Sequence, residues 1–295
     1  MSTWWQACVG RAVSRRTFLK TGVCSLALLA LPPRAKAVGA PDPRQGFVNP
    51  QPALYYRALA GHKISCQLCP RACEVGPGDR GDCGVRENRQ GRYLTLAYGN
   101  PCAVHVDPIE KKPFFHVLPG TPSFSLATAG CNLRCQFCQN YEISQARPEE
   151  TYNMDLPPAQ VVARARQAGC PSVAYTYVEP IIFFEYMLET SRLARQAGLL
   201  NTCHSAGYVS AAPLEELAQV LDAACIDLKA FDPGFYRELV DGELEPVLAT
   251  LETLRRRGVH VEIVNLVIPR KNDDPGAITR MCRWIADELG PLTPL

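Results

Sequence analysis

Thr128-Ala-Gly-Cys-Asn-Leu-Arg-Cys-Gln-Phe-Cys-Gln-Asn140 decides how the rest of the chain is read. Cys131, Cys135 and Cys138 stand at the spacing C-x3-C-x2-C. Three thiols this close cannot all pair with one another as disulfides, but as thiolates they can converge on one soft metal centre. An iron–sulfur cubane has four irons, so three cysteines leave one iron without a protein ligand. An iron left open can bind a small molecule and act on it, whereas a cluster closed by four cysteines mostly carries electrons. The spacing also departs from the ferredoxin run C-x2-C-x2-C.

Outward from this stretch, residues 119–295 alternate short β-rich runs with longer helical ones. Strands are expected at Ser123–Thr128, Ser172–Tyr177, Leu199–His204, Ala223–Leu228 and His260–Ile268. Helices are expected near Ala159–Ala168, Ile181–Ala197, Pro213–Leu221, Glu245–Arg257 and Pro275–Leu289, with Gly169, Gly198 and Gly258 closing three of them. Strand–helix alternation with crossovers implies an α/β fold with parallel strands wound in one hand. In such folds chemistry gathers at the C-terminal ends of strands, and the cysteine stretch directly follows the first one.

Upstream, residues 54–118 form a small cysteine-rich unit. Cys66-Gln-Leu-Cys69-Pro-Arg-Ala-Cys73 is followed by Cys83, with Gly76, Gly78, Gly81 and Gly84 around the last cysteine. Four thiolates suit a closed site, either zinc or a second iron–sulfur cluster, and two disulfides are the alternative. Arg92–Tyr98 reads as a strand. Asp107-Pro-Ile-Glu-Lys-Lys-Pro-Phe-Phe-His116 reads either as a solvated connector or as a segment presenting Lys111, Lys112 or His116 to a substrate.

The first 37 residues carry six basic side chains and no acidic one, so with a whole-chain charge of +2 the remainder is mildly acidic. That balance argues against nucleic acid as the main partner. Ser14-Arg15-Arg16-Thr17-Phe18-Leu19-Lys20, the apolar run after it and Ala35-Lys36-Ala37 give residues 1–37 the form of a twin-arginine signal peptide, with a linker over 38–53. The apolar run is too short to span a bilayer. If the signal is used the protein is periplasmic or extracytoplasmic; otherwise it is cytoplasmic. Fourteen cysteines, seven of them in the two tight groups, favour metal binding over a disulfide scaffold.

The motif, with Phe137 before its last cysteine, resembles the radical S-adenosylmethionine (SAM) superfamily. Ala129-Gly130, Asn132, Gln139-Asn140 and Glu142-Ile143-Ser144 narrow the resemblance to the branch near pyruvate formate-lyase activating enzymes, specifically the AmmeMemoRadiSam-system proteins. The resemblance implies a partial (β/α) barrel and a 4Fe–4S cluster on Cys131, Cys135 and Cys138 with SAM on the fourth iron. It also implies reductive cleavage to a 5′-deoxyadenosyl radical that abstracts hydrogen from a substrate, in some relatives a partner protein. Glu179 of Glu179-Pro180 would accept from the SAM amino group, with Gly130, Asn132, Gly207 and Asn265 as further SAM contacts. Lys229 of Asp227-Leu-Lys229 would lie near the SAM carboxylate or the substrate, and Asp227, two positions earlier on the strand, shares its face. Glu262 is a further cavity candidate, and Leu266, Val267 and Ile268 are expected in the core. Val178 stands where relatives usually have Asn, and Ala206 where the third-strand turn has Asn, which weakens two polar contacts. A low-potential electron donor is implied as a partner, with Memo-type and AMMECR-type proteins as functional associates. The alternatives are a non-catalytic iron–sulfur carrier and an exported metal- or disulfide-stabilised binding protein on the same fold. Relatives continue past Leu295, so a sixth strand is expected to be missing and the fifth strand's edge exposed.

Overall fold

A computed structural model describes residues 42–295. The expected signal peptide, with Arg15 and Arg16, and the start of the linker lie outside the described residues. The main sheet has six strands: β1 Ala103–Pro108, β2 Pro122–Ala127, β3 Ser172–Tyr175, β4 Leu200–Ser205, β5 Ala223–Asp227 and β6 His260–Val264. Their order is β6-β5-β4-β3-β2-β1. β2 to β6 run parallel, in the sequential order that one-handed crossovers produce. The longer helices are α1 Pro158–Gln167, α2 Phe184–Gln196, α3 Ala211–Leu217, α4 Glu245–Arg256 and α5 Pro275–Trp284. Apolar residues at helical spacing, such as Val247, Leu251 and Leu254 of α4, bury the sheet-facing side. Gly169, Gly198 and Gly258 follow α1, α2 and α4 with positive φ, the left-handed turn in which a helix exchanges its last carbonyl bonds for a loop. The α/β partial-barrel expectation holds. Among the described residues no helix is long and apolar enough to cross a membrane.

Several details differ from the sequence reading. β1, assigned to the cysteine-rich unit, pairs antiparallel with β2 along its whole length and is an edge of the main sheet. The expected linker is partly ordered: Arg44–Gln45 pairs with Tyr152–Asn153, and Gln51–Pro52 with Leu94 and Thr95. β6 ends at Val264, short of Ile268. Asn265 and Asn272 amides bond the carbonyls of Leu228, Lys229 and Leu266, which draws the chain off the sheet. Leu266 and Val267, expected in the core, are therefore 57% and 51% exposed. At the β6 edge, Ile263 N–H donates to Pro294 O at 2.9 Å.

The segment after β1 closes the barrel's N-terminal end. Ile109 and Phe114 are fully buried and pack against Ala223 and Cys225 of β5. Glu262 on β6, nearly buried, accepts the N–H groups of Phe115 and His116, both at 3.0 Å. Glu262 thus fastens the floor of the barrel and does not line the cavity above it.

Candidate active site

The cavity at the C-terminal ends of the strands has a volume of about 290 Å³. Cys131, Cys135 and Cys138 line it from the loop after β2, Glu179 from the turn after β3, and Asp227 and Lys229 from the end of β5. Parallel strands end on one side, so residues from opposite halves of the sequence meet there.

The loop that carries the cysteines is set by its contacts. Gly130 has φ +101°, and a Cβ there would lie 2.6 Å from the Cys83 carbonyl oxygen and 2.6 Å from Val85 Cγ1, so only glycine fits. Leu133 N–H donates to Cys131 Sγ at 3.4 Å, and Cys138 Sγ lies 3.3 Å from Ser144 Oγ. Burial pushes the Cys131 thiol up to about 12. Burial also raises the Cys135 thiol, against the downward pull of the nearby Lys229 ammonium. Thiols so desolvated lose their protons most readily to a metal. Among the described residues no three Cys, His, Asp or Glu side chains converge tightly enough for a single ion. A cubane spreads its ligands over separate irons. The donor set and the room beside it fit such a cluster.

Glu179 is 3% exposed. Its carboxylate accepts from Ser205 Oγ at 2.7 Å, from Ala206 N–H at 2.8 Å and from Ile181 N–H at 3.2 Å. Burial raises its pKa, and these three donors oppose the rise. Asp227 bridges two side chains: His204 Nε2 lies 2.8 Å from Oδ1 and Lys229 Nζ 2.8 Å from Oδ2. Burial would lift the Asp227 carboxyl, but His204 and Lys229 outweigh it and hold it well below the usual range. His204 also lines the cavity. The sequence reading met His204 only as the last residue of an expected strand. Its position at the functional end of β4, one residue before Ser205, is the signal that could have found it.

Tyr177 is a second residue the sequence reading passed over. It sits on the cavity wall with φ +69°, a left-handed conformation unusual for an aromatic residue. Asn140 Nδ2 holds its carbonyl at 2.5 Å, and its hydroxyl donates to Asp107 Oδ2 at 3.0 Å. Lys112 is fully buried behind it, with Nζ 2.8 Å from the Tyr177 hydroxyl and 2.9 Å from Asp107. Lys112 therefore reaches the cavity only through Tyr177. Lys111 is exposed beside Asp107, and His116 lies by Glu262, so neither lines the cavity.

Four expected cofactor contacts also lie off the cavity wall. Asn132 is buried, with its amide donating to Tyr208 O at 2.8 Å. Gly130 faces Cys83. Gly207 packs against Ile226 and Val247, where a Cβ would come within 3.0 Å of Ile226. Asn265 bonds Leu228 O at 2.6 Å and lines a separate cleft with Asp232, Asp274 and Arg280. These residues shape loops. Cys66, Cys69, Cys73 and Cys83 meet at a different, smaller cavity.

The profile of the Radical SAM superfamily matches residues 125–282. An uncharacterized protein of Methanocaldococcus jannaschii is 40% identical over 243 residues, which cover 82% of this chain and 72% of that one. The pyruvate formate-lyase-activating enzyme of Listeria monocytogenes is 25% identical over 171 residues, 55% of this chain and 68% of that one. A solved domain of the pyruvate formate-lyase-activating enzyme from Bacteroides vulgatus overlays with a TM-score of 0.38 at 18% identity, covering 42% of this chain and 75% of that domain.

Proposed function

The chain belongs to the radical SAM superfamily, and from that premise we propose that Cys131, Cys135 and Cys138 hold a 4Fe–4S cluster beside a SAM site. The observation that carries this reading is that the three thiols and the buried carboxylate of Glu179 line one cavity. Bound there, the cluster and SAM would supply one-electron radical chemistry directed at a substrate C–H bond.

The chain's own residues hold and orient. Glu179, already fixed by three donors, offers its carboxylate to an ammonium group. Lys229 offers a cation to a carboxylate, and Asp227 keeps that cation in place. His204, on the other oxygen of Asp227, lines the same cavity. Ile109 and Phe114 exclude water from below.

The substrate we infer is a segment of a partner polypeptide. Similarity to activating enzymes supports this, as does Leu266, which lines the cavity while 57% exposed, an apolar contact for an incoming chain. Memo-type and AMMECR-type proteins are the partners to test first, with a low-potential electron donor. Use of residues 1–37 for twin-arginine export belongs to the same proposal; the mature protein would then begin at Val38, which N-terminal sequencing reads directly.

Anaerobic reconstitution with iron and sulfide, then reduction with SAM, tests the reaction. 5′-Deoxyadenosine should form in wild type and be lost in Cys135→Ala. Full iron loading with no SAM-dependent product would leave the electron-carrier reading standing instead.

A further inference from the structure

Cys66, Cys69, Cys73 and Cys83 surround a cavity of about 10 Å³ on the far side of the cysteine loop. Cys66 ends the strand Ile64–Cys66, and its N–H donates to Cys73 O at 2.9 Å, which ties the first and third cysteines together. Ala72 N–H closes a turn onto Cys69 O at 3.1 Å, and Gly84 N–H closes one onto Gly81 O at 2.9 Å. Both turns fold the chain back between neighbouring cysteines.

Two donors beside the cysteines lack partners. Arg86 Nε and Tyr93 Oη are buried and make no hydrogen bond within the described residues, and both side chains line the cavity. Arg86 is 0% exposed and Tyr93 2%. A buried donor left unmade costs about 1–3 kcal/mol; thiolate sulfurs lining the same cavity would accept from both, whereas a disulfide sulfur carries no charge.

We propose that Cys66, Cys69, Cys73 and Cys83 bind one zinc ion as tetrahedral thiolates, with Arg86 and Tyr93 donating to the sulfurs. The cavity has room for a single ion, since 10 Å³ is about one water-sized sphere, whereas the space beside Cys131 is 290 Å³. The sulfurs as placed do not yet converge at ligand distance. Rotation about χ1 brings an unbranched cysteine inward between staggered wells. Four thiolates and no open position make the site structural. It stands directly behind the catalytic loop: Cys83 carbonyl oxygen meets Gly130, and Arg71 Nε donates to Asn132 O at 2.6 Å.

The test is metal analysis and zinc X-ray absorption on the full chain, as wild type and as Cys131→Ala/Cys135→Ala/Cys138→Ala. The triple variant separates this site from the cluster reading, because its zinc content does not depend on whether that reading holds. About one zinc per chain in both proteins, with four sulfurs at about 2.3 Å, is expected. Cys69→Ser and Cys83→Ser, each in the triple background, should lower zinc roughly fivefold or more. Zinc content unmoved by those substitutions, a multi-iron cluster in the triple variant, or disulfides among the four cysteines in non-reducing mass mapping would overturn the proposal.

Discussion

Glu179 holds its position by accepting three hydrogen bonds, one of them from the Ala206 backbone N–H. That bond comes from the very position where the side-chain Asn of the resembled turn is missing, so the substitution costs this carboxylate no donor. Glu179→Gln keeps the shape and removes the charge. A charge-assisted bond is worth about 1.5–3 kcal/mol, so SAM affinity of the reconstituted protein should fall roughly 10- to 150-fold in equilibrium dialysis. Asp227 supplies a pH signature. Its folded pKa lies below the ordinary carboxylate value because His204 and Lys229 outweigh burial. The stability it contributes is therefore complete above the ordinary value of about 3.9 and is lost as pH falls through the folded value. In urea titrations of the metal-free chain, the gap between wild type and Asp227→Asn should narrow as pH falls below about 4. Residue types and spacing made the three cysteines and the Asp227–Lys229 pair readable in advance, and the family resemblance pointed to Glu179. The directions of Asn132 and Asn265 were not readable, because an amide serves a backbone carbonyl as well as a ligand, and only the surrounding loops decide which.

At the scale of elements, the cysteine loop is held by a close approach. Gly130 meets the Cys83 carbonyl oxygen and Val85 with no room for a methyl group, at a φ that side chains avoid. Gly130→Ala should destabilise the fold by about 3 kcal/mol, combining backbone strain with overpacking, and should cut iron uptake on reconstitution. Chemical denaturation and iron analysis on one preparation check both. The repeating strands and helices of the main domain were legible because burial on both faces of a parallel strand gives continuous apolar runs. β1 was not, since an edge strand half open to solvent, ending in Asp107 and Pro108, carries neither a continuous run nor a clean alternation. Leu266 and Val267 misled in the opposite direction: they are apolar, but Asn272 holds their loop away from the sheet.

For the molecule as a whole, the join between the cysteine-rich unit and the barrel rests on a buried ion pair. Arg86 is 0% exposed and donates to Glu185 of α2, which also accepts Leu54 N–H at 2.6 Å, while Arg86 donates to Leu54 O at 2.8 Å. Removing one partner strands the other charge. Glu185→Ala should cost about 3–5 kcal/mol, whereas the exposed Arg44–Asp155 pair should be worth under about 1 kcal/mol. Paired denaturation curves of Glu185→Ala and Asp155→Ala separate the two. The floor of the barrel has a consequence in time. Glu262 receives the N–H groups of Phe115 and His116 from 147 and 146 positions earlier in the chain. Closing so long a span is entropically slow, and such contacts tend to form after the folding barrier is crossed. Glu262→Ala should therefore speed unfolding while leaving the folding rate nearly unchanged in stopped-flow chevrons. A chain still emerging from the ribosome has no seal beneath its cysteine loop until Glu262 has been made, well over a hundred residues after that loop.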